Sequence, residues 1–144
     1  MAQLSTWLTE ASTVIQAITP LDRPQYRFRE VQSRRDVQGH REFRWARPLR
    51  GNPELMNASA SFPEWSVDLE VLIKSFGRGG PQEVAAIAND TDLIARAIER
   101  RTQGGSWTST PRGVIQEGPP DLEELDNGDT LATFTFLVQT AETA

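Results

Sequence analysis

His40 is the only histidine in the chain and the first residue to consider for acid–base or nucleophilic chemistry. A Ser–His–Asp arrangement requires a histidine that its packed neighbours hold in one orientation. His40 instead lies between Gly39 and Arg41 in a polar stretch, so we interpret it as a solvated loop residue. Cysteine is absent, which excludes thiol catalysis, zinc–thiolate sites and disulfides.

A second candidate for chemistry is the acidic segment, residues 117–129, which has six carboxylates and no basic residue. General acid–base catalysis needs a carboxyl group whose pKa is raised by a dry pocket. This segment contains Gly118, Pro119 and Pro120 and few apolar residues, and its run DLEELDNGD lacks the spacing of an EF-hand loop. We interpret it as a solvated acidic loop and predict no metal and no cofactor. A small enzyme that uses these carboxylates and a weak cation site are the alternatives.

A glycine-rich run, GRGG at residues 77–80, precedes a helical pattern and could in principle hold a phosphate. A P-loop ends in Gly-Lys-Ser/Thr, which is absent here, so we interpret the run as a turn. None of these candidates supplies a catalytic set. We therefore predict that the protein is not an enzyme.

Charge is sorted by segment along the chain. The basic segment, residues 23–50, carries nine arginines against three acids, which sums to +6, whereas the acidic segment sums to −6. Arginine makes planar, two-point contacts with carboxylates and is enriched at protein interfaces. A small protein with two opposite patches can bind copies of itself head to tail. Codon bias in a GC-rich genome is the alternative explanation for the arginines.

The basic segment also contains Tyr26, Phe28, Phe43 and Trp45, and rings beside arginines are found in proteins that bind single-stranded nucleic acid. Alternation along the chain puts the rings and the arginines on opposite strand faces, so stacking platforms beside phosphate contacts do not form. The net charge of −5 argues against binding nucleic acid with the whole surface. We predict no sequence-specific nucleic-acid binding and keep a nucleic-acid-binding adaptor as an alternative.

Trp107 lies in a stretch of small residues, GGSWTST. A tryptophan in such a loop is either a buried anchor for the loop or, at the surface, an interface hot spot. The sequence leaves both interpretations open.

The length predicts one domain over residues 1–144. The first 20 residues lack the basic start and the continuous apolar run of a signal peptide. No stretch approaches the roughly 18 apolar residues of a transmembrane helix, so we expect no membrane partner.

Hydrophobic periodicity predicts the elements that must position these residues. Spacings of three and four indicate a helix over 4–18, and a second helix is expected to begin at a cap on Asp90 or Thr91 and to end at Arg101. A helical turn at 83–88 precedes it. The predicted strands are 26–31, 42–46, 65–76, a weaker one at 106–116, and 130–139. We predict that residues 48–64 form a long loop and that residues 140–144 form a tail.

This order of elements indicates an α+β fold. We predict a mostly antiparallel sheet of about five strands with two helices packed on one face.

The element order resembles that of the phage tail terminator proteins, of the lambda minor tail protein U type. The resemblance rests on the amphipathic opening helix, the strand WSVDLEVLIKSF, the helix NDTDLIARAIERR and the closing strand DTLATFTFLVQT after a loop. It covers most of the chain as a pattern and includes no invariant motif.

This resemblance implies a structural virion protein that forms a ring, usually a hexamer, which ends the tail tube and provides the docking surface for the head. The implied partners are further copies of the chain, the tail tube protein and a head-completion or connector protein. The implied location is the tail or neck of a virion that is assembled in the host cytoplasm. Another neck, head–tail joining or tail-tube subunit is the alternative within virion assembly. The family has no catalytic residues to carry over.

The sorted charges then predict a contact between subunits. Ring subunits place one face against a different face of the neighbour, and opposite patches fix that orientation. We expect the arginines to face an acidic surface, which is either the acidic segment of the next subunit or the tail tube; two solvated loops are the alternative. The predicted interface residues are Arg34, Arg35, Arg41, Arg44, Arg47, Trp107, Asp121, Glu123, Glu124 and Asp126.

Overall fold

The computed structural model describes residues 2–20, 26–31, 41–46, 49–50, 64–74, 80–111, 113–125 and 128–140. In this part of the chain there are two helices and one sheet of seven strands. The helices are α1 (Ala2–Gln16) and α2 (Gly80–Gln103). The strands are β1 (Arg29–Glu30), β2 (Arg41–Trp45), β3 (Leu49–Arg50), β4 (Glu64–Ile73), β5 (Gly113–Gln116), β6 (Asp121–Glu124) and β7 (Thr130–Gln139).

The seven strands lie in five rows. The order across the sheet is β1, β2, β4, β7, β5. Strand β3 continues the row of β2 along β4, and β6 shares with β5 the outer side of β7. The β1–β2 contact is parallel and every other pairing is antiparallel. The predicted α+β fold with a mostly antiparallel sheet is therefore confirmed.

The centre of the sheet is the β4–β7 pair, which runs in register over ten residue pairs from Glu64↔Gln139 to Ile73↔Thr130. Successive residues of a strand point to opposite faces. On one face the side chains are buried apolar groups: Val67, Leu69, Val71 and Ile73 from β4 and Ala132, Phe134, Phe136 and Val138 from β7. This is the alternation from which both strands were predicted.

Both helices cover that apolar face. The side chains of Trp7, Ala11 and Ile15 from α1 and of Ile94 and Ile98 from α2 belong to the same buried cluster as the sheet residues. Burying an apolar side chain of this size stabilises the fold by about 1.5–3 kcal/mol. We call the opposite side of the sheet, which neither α1 nor α2 covers, the helix-free face.

Helix α2 is longer than predicted, because it runs without interruption through the expected cap. Asp90 is buried and pairs with Arg41 of β2, whose Nε lies 2.6 Å from Asp90 Oδ2. The Thr91 hydroxyl donates to the carbonyl oxygens of Ile87 and Ala88 within the helix. The prediction of a cap at Asp90 or Thr91 is wrong, because a distant arginine stabilises the aspartate inside the helix.

The predicted strand at 106–116 forms only over Gly113–Gln116. Residues 104–111 make turns instead, in which Gly105 and Thr110 have positive φ angles of 62° and 49°. Their position is fixed by Trp107, whose Nε1 donates to Thr102 Oγ1 over 3.0 Å. The apolar residues on which the strand was predicted, Val114 and Ile115, do lie in β5, and only the part of the prediction that precedes Gly113 is wrong.

Two predicted loops contain short strands. The acidic segment includes β6, and the predicted loop at 48–64 includes β3. Thr140, assigned to the tail, is fully buried. The predictions for residues 32–40, 51–63, 77–79 and 141–144 lie outside the described residues.

Glu10 joins α1 to the turn after α2. Its carboxylate accepts hydrogen bonds from the backbone N–H groups of Thr108 and Ser109 at 2.8 and 3.0 Å and from Ser109 Oγ at 2.7 Å. Arg101 lies 3.4 Å away. Burial raises the pKa of Glu10, but these hydrogen bonds outweigh it and lower the pKa from 4.5 to about 2. Glu10 therefore stabilises the fold as the ionised carboxylate.

Glu10→Gln is expected to lower the free energy of unfolding at pH 7 by about 1–3 kcal/mol, because charged hydrogen bonds are lost in a nearly buried site. The folded-state pKa lies below the unfolded one, so the wild-type advantage is complete above about pH 4.5 and disappears as the pH falls towards 2. Urea denaturation across this range measures it. Glu99→Gln is the matched control, since Glu99 is exposed and accepts a hydrogen bond from the Gln103 amide one helical turn away; equal losses in the two variants would contradict the role of Glu10.

Candidate assembly interface

The basic segment forms one side of the sheet. It supplies β1, β2 and β3, and β1 is the edge row. Arg29 of β1 has 57% of its side chain exposed, and it pairs on the helix-free face with Glu42, whose side chain is 1% exposed, over 2.6 Å. More than half of the Arg29 side chain is therefore exposed although its guanidinium is bonded to a buried carboxylate.

The acidic segment forms the opposite edge. Strand β6 pairs with β7 through Asp121↔Thr133 to Glu124↔Thr130, and all four of its residues are exposed. Leu122, between the carboxylates, is 52% exposed. In the described part of the chain no strand pairs with the other side of β6.

The two charged edges are separated by the width of the sheet. From β1 to β6 there are four steps between neighbouring rows, which at 4.7–4.9 Å a step is roughly 19 Å. Basic and acidic edges this far apart do not neutralise each other within one subunit.

Comparisons with protein-family models and with curated proteins find no match.

Arg41 and Arg44 lie in different environments within β2. Arg41 was predicted to be an interface residue, but its side chain is 2% exposed beneath α2 and pairs with Asp90. Arg41 is therefore corrected from an interface residue to a core residue. Arg44, on the helix-free face, pairs with Glu70 over 2.8 Å and is 30% exposed, so a neighbour can still reach it.

The acidic candidates that the structure describes are together on β6. Asp121, Glu123 and Glu124 are all exposed there. The helix-free face carries Asp121 and Glu123, because they lie opposite Thr133 and Leu131 of β7, whereas Glu124 lies on the helix side. Arg34, Arg35, Arg47 and Asp126 lie outside the described residues.

Trp107 is 6% exposed and packs in the core. Its ring centroid lies 5.4 Å from that of Trp7, and the Arg101 guanidinium lies 5.7 Å above it. Of the two interpretations, this position corresponds to the buried anchor, and little of the ring is available to a partner.

The helix-free face also contains a pocket of about 350 Å³ beside β2 and β4. Its lining includes the Arg44–Glu70 ion pair, Lys74, Glu42 and Asp129 above an apolar floor with Leu72 and Leu131. Of the described carboxylates of the acidic segment, Asp129 alone lines it. In the same described ranges, no group of three His, Cys, Asp or Glu residues is arranged to hold a metal ion, and neither helix is long and apolar enough to cross a membrane.

Two residues at the edges of the sheet were not among the interface residues predicted from the sequence. Arg29 was placed on an outward strand face but not among the interface residues, although its position in the charge segregation was visible. Leu122 was overlooked because the acids around it suggested a loop. The alternation Asp121-Leu122-Glu123 was the signal for a short strand.

Proposed function

We propose that the protein is a structural subunit that assembles head to tail into a closed ring, as a tail terminator does. The observation that supports this most is the position of the two charged segments at opposite edges of one sheet. A subunit with a basic edge and an acidic edge is complementary to its own copies.

Such a contact is heterologous, since one edge meets a different edge of the neighbour. Heterologous contacts give closed rings when the rotation between subunits closes and open filaments when it does not. The charges set the orientation and disfavour joining two like edges. Because the carboxylates of β6 are exposed, their attraction to a neighbour is screened by salt, and the ring is expected to be most stable at low ionic strength.

The pattern resemblance to tail terminators gives this ring its proposed place in a virion. The ring ends the tail tube and presents a docking surface to the head, with the tail tube protein and a head-completion or connector protein as its partners. Its role is then mechanical and not catalytic. A tail-tube subunit is the nearest alternative, and it differs in its product, which is an open polymer.

Electron microscopy of the purified protein at low salt tests the proposal. We expect closed rings of one diameter, because a terminator must stop growth and not continue it. Tubes of variable length would identify a tube subunit instead. Particles of the size of a single chain at every concentration would contradict the self-assembling ring.

A further inference from the structure

The free edge of β6 offers backbone groups as well as charge. Leu125 N–H donates to the Asp129 carbonyl oxygen, which marks this pair as hydrogen-bonded in the antiparallel ladder. Hydrogen-bonded and non-hydrogen-bonded pairs alternate along such a ladder. The backbone groups of Asp121 and Glu123 therefore face β7, and those of Leu122 and Glu124 point away from the sheet.

Strand β1, in the edge row on the opposite side of the sheet, also directs backbone groups away from the sheet. Val31 N–H donates to the Phe43 carbonyl oxygen, and Glu30 lies opposite Phe43 in the parallel β1–β2 pair. In a parallel pair the residue between two such bonds directs its own N–H and C=O to the other side. The backbone of Glu30 thus points away from β2, and both residues of β1 are exposed.

Strands β5 and β6 lie on the same side of β7, but the residues between them interrupt the strand. Gly118 adopts a φ of 69°, and Pro119 and Pro120 follow it. Prolines on an edge remove donors and discourage pairing with another chain. Among the described residues, the free edge on this side of the sheet therefore consists of two separate four-residue strands, β5 and β6, and β6 is the one that carries carboxylates.

We propose that β6 of one subunit pairs with β1 of the next and joins their sheets. The inference rests on the proposed ring, and it adds the strands and the direction of the contact. Strand β1 runs parallel to β2, which is antiparallel to β4; β7 and then β6 each reverse the direction again. Strands β1 and β6 consequently run in opposite directions, and subunits repeated in one orientation meet in an antiparallel ladder.

On the helix-free face, the side chains of this ladder are complementary. Arg29 lies on the helix-free face opposite Glu42, and Asp121 and Glu123 lie on the same face. All three occupy positions whose backbone groups face their own sheet, so across the joint they form non-hydrogen-bonded pairs, in which side chains are closest. Arg29 of one subunit is thereby placed beside the acids of the next.

The Leu122→Pro variant distinguishes association through backbone hydrogen bonds from docking by charge alone. The variant removes an N–H that the subunit's own sheet does not use, and edge positions of this kind tolerate proline. We expect it to keep the monomer's circular dichroism and to associate about tenfold or more weakly, while Leu122→Ala, which keeps the N–H, associates normally. Equal association of the two variants would overturn the backbone pairing.

Cross-linking then tests which edges meet, because the chain has no native cysteine. In Glu30→Cys/Glu124→Cys the two thiols of one subunit are too far apart for a short bismaleimide, whereas a β1–β6 joint brings thiols of neighbours together. We expect a ladder of dimer, trimer and larger products that ends at the ring size. The control Thr13→Cys/Arg96→Cys, on exposed helix positions, is expected to give no ladder.

The two proposals fail in different ways. Rings in the microscope without a cross-linked ladder would leave the ring standing and overturn the β1–β6 joint. A series of cross-linked products from a protein that grows into open tubes would support the β1–β6 joint and contradict the proposed terminator function. Single-cysteine variants that form cross-linked dimers would indicate like edges in contact, which also overturns the joint.

Discussion

Asp90→Ala is expected to lower the free energy of unfolding by about 3–5 kcal/mol, the cost of breaking a buried ion pair from one side. The Arg41 and Asp90 side chains are 2% and 1% exposed, with 2.6 Å between Nε and Oδ2. Removal of the carboxylate leaves the Arg41 guanidinium beneath α2 without this counter-charge. A domain of this size is typically stable by about 5–15 kcal/mol, so the loss is a large fraction of the total.

Asp92→Ala is the matched control for this prediction. Asp92 lies on the same helix and pairs with Arg96 over 2.8 Å, but the two side chains are 54% and 61% exposed. An exposed pair of this kind contributes about 0.3–0.5 kcal/mol. Denaturant unfolding of both variants measures the difference, and a combined Arg41→Met/Asp90→Leu variant is expected to recover much of the loss. A loss for Asp90→Ala as small as that for Asp92→Ala would show that the pair does not hold β2 to α2.

Glu123→Arg/Glu124→Arg is expected to abolish self-association at low salt, with an association constant reduced about 100-fold or more. Like charges brought together at an interface cost several kcal/mol, and both positions are exposed on β6. The monomer should fold normally, because neither residue is buried in its own chain. Sedimentation velocity across a salt series measures the association.

The control for Glu123→Arg/Glu124→Arg is a variant with the same change in net charge at another position on the protein. Asp92→Arg/Glu99→Arg alters two exposed acids of α2, neither of which lies on β1 or β6. It is expected to assemble like the wild type. If both double variants lose association equally, total charge and not the acidic edge controls assembly.

The sequence was most informative where the packing is local. Strands β4 and β7 alternate over most of their length because one face of each is buried against the helices, and α1 shows one apolar stripe for the same reason. Asp90 shows the limit of this approach. Its position in the sequence favours a helix cap. The fold brings β2 beside α2, and Arg41 of β2 supplies the counter-charge that allows Asp90 to be buried within the helix.

The candidate site was predictable in its chemistry but not in its placement. The segregation of arginines and carboxylates is visible in the residues alone. Which strands form the edges of the sheet depends on the order in which distant segments pair, and local periodicity carries no information about that order. For this reason Arg41 was assigned to the surface, while Arg29 and Leu122, at the true edges, were not among the predicted interface residues.

The native mass of the purified protein tests head-to-tail assembly most directly. We expect, at low salt, a single species heavier than a dimer, at an integer multiple of 16.1 kDa, that dissociates as salt is raised. A heterologous contact that closes gives one such species, whereas a self-complementary contact stops at the dimer. A monomer or a dimer at low salt, or an unbroken series of masses, would contradict the closed ring of joined edges.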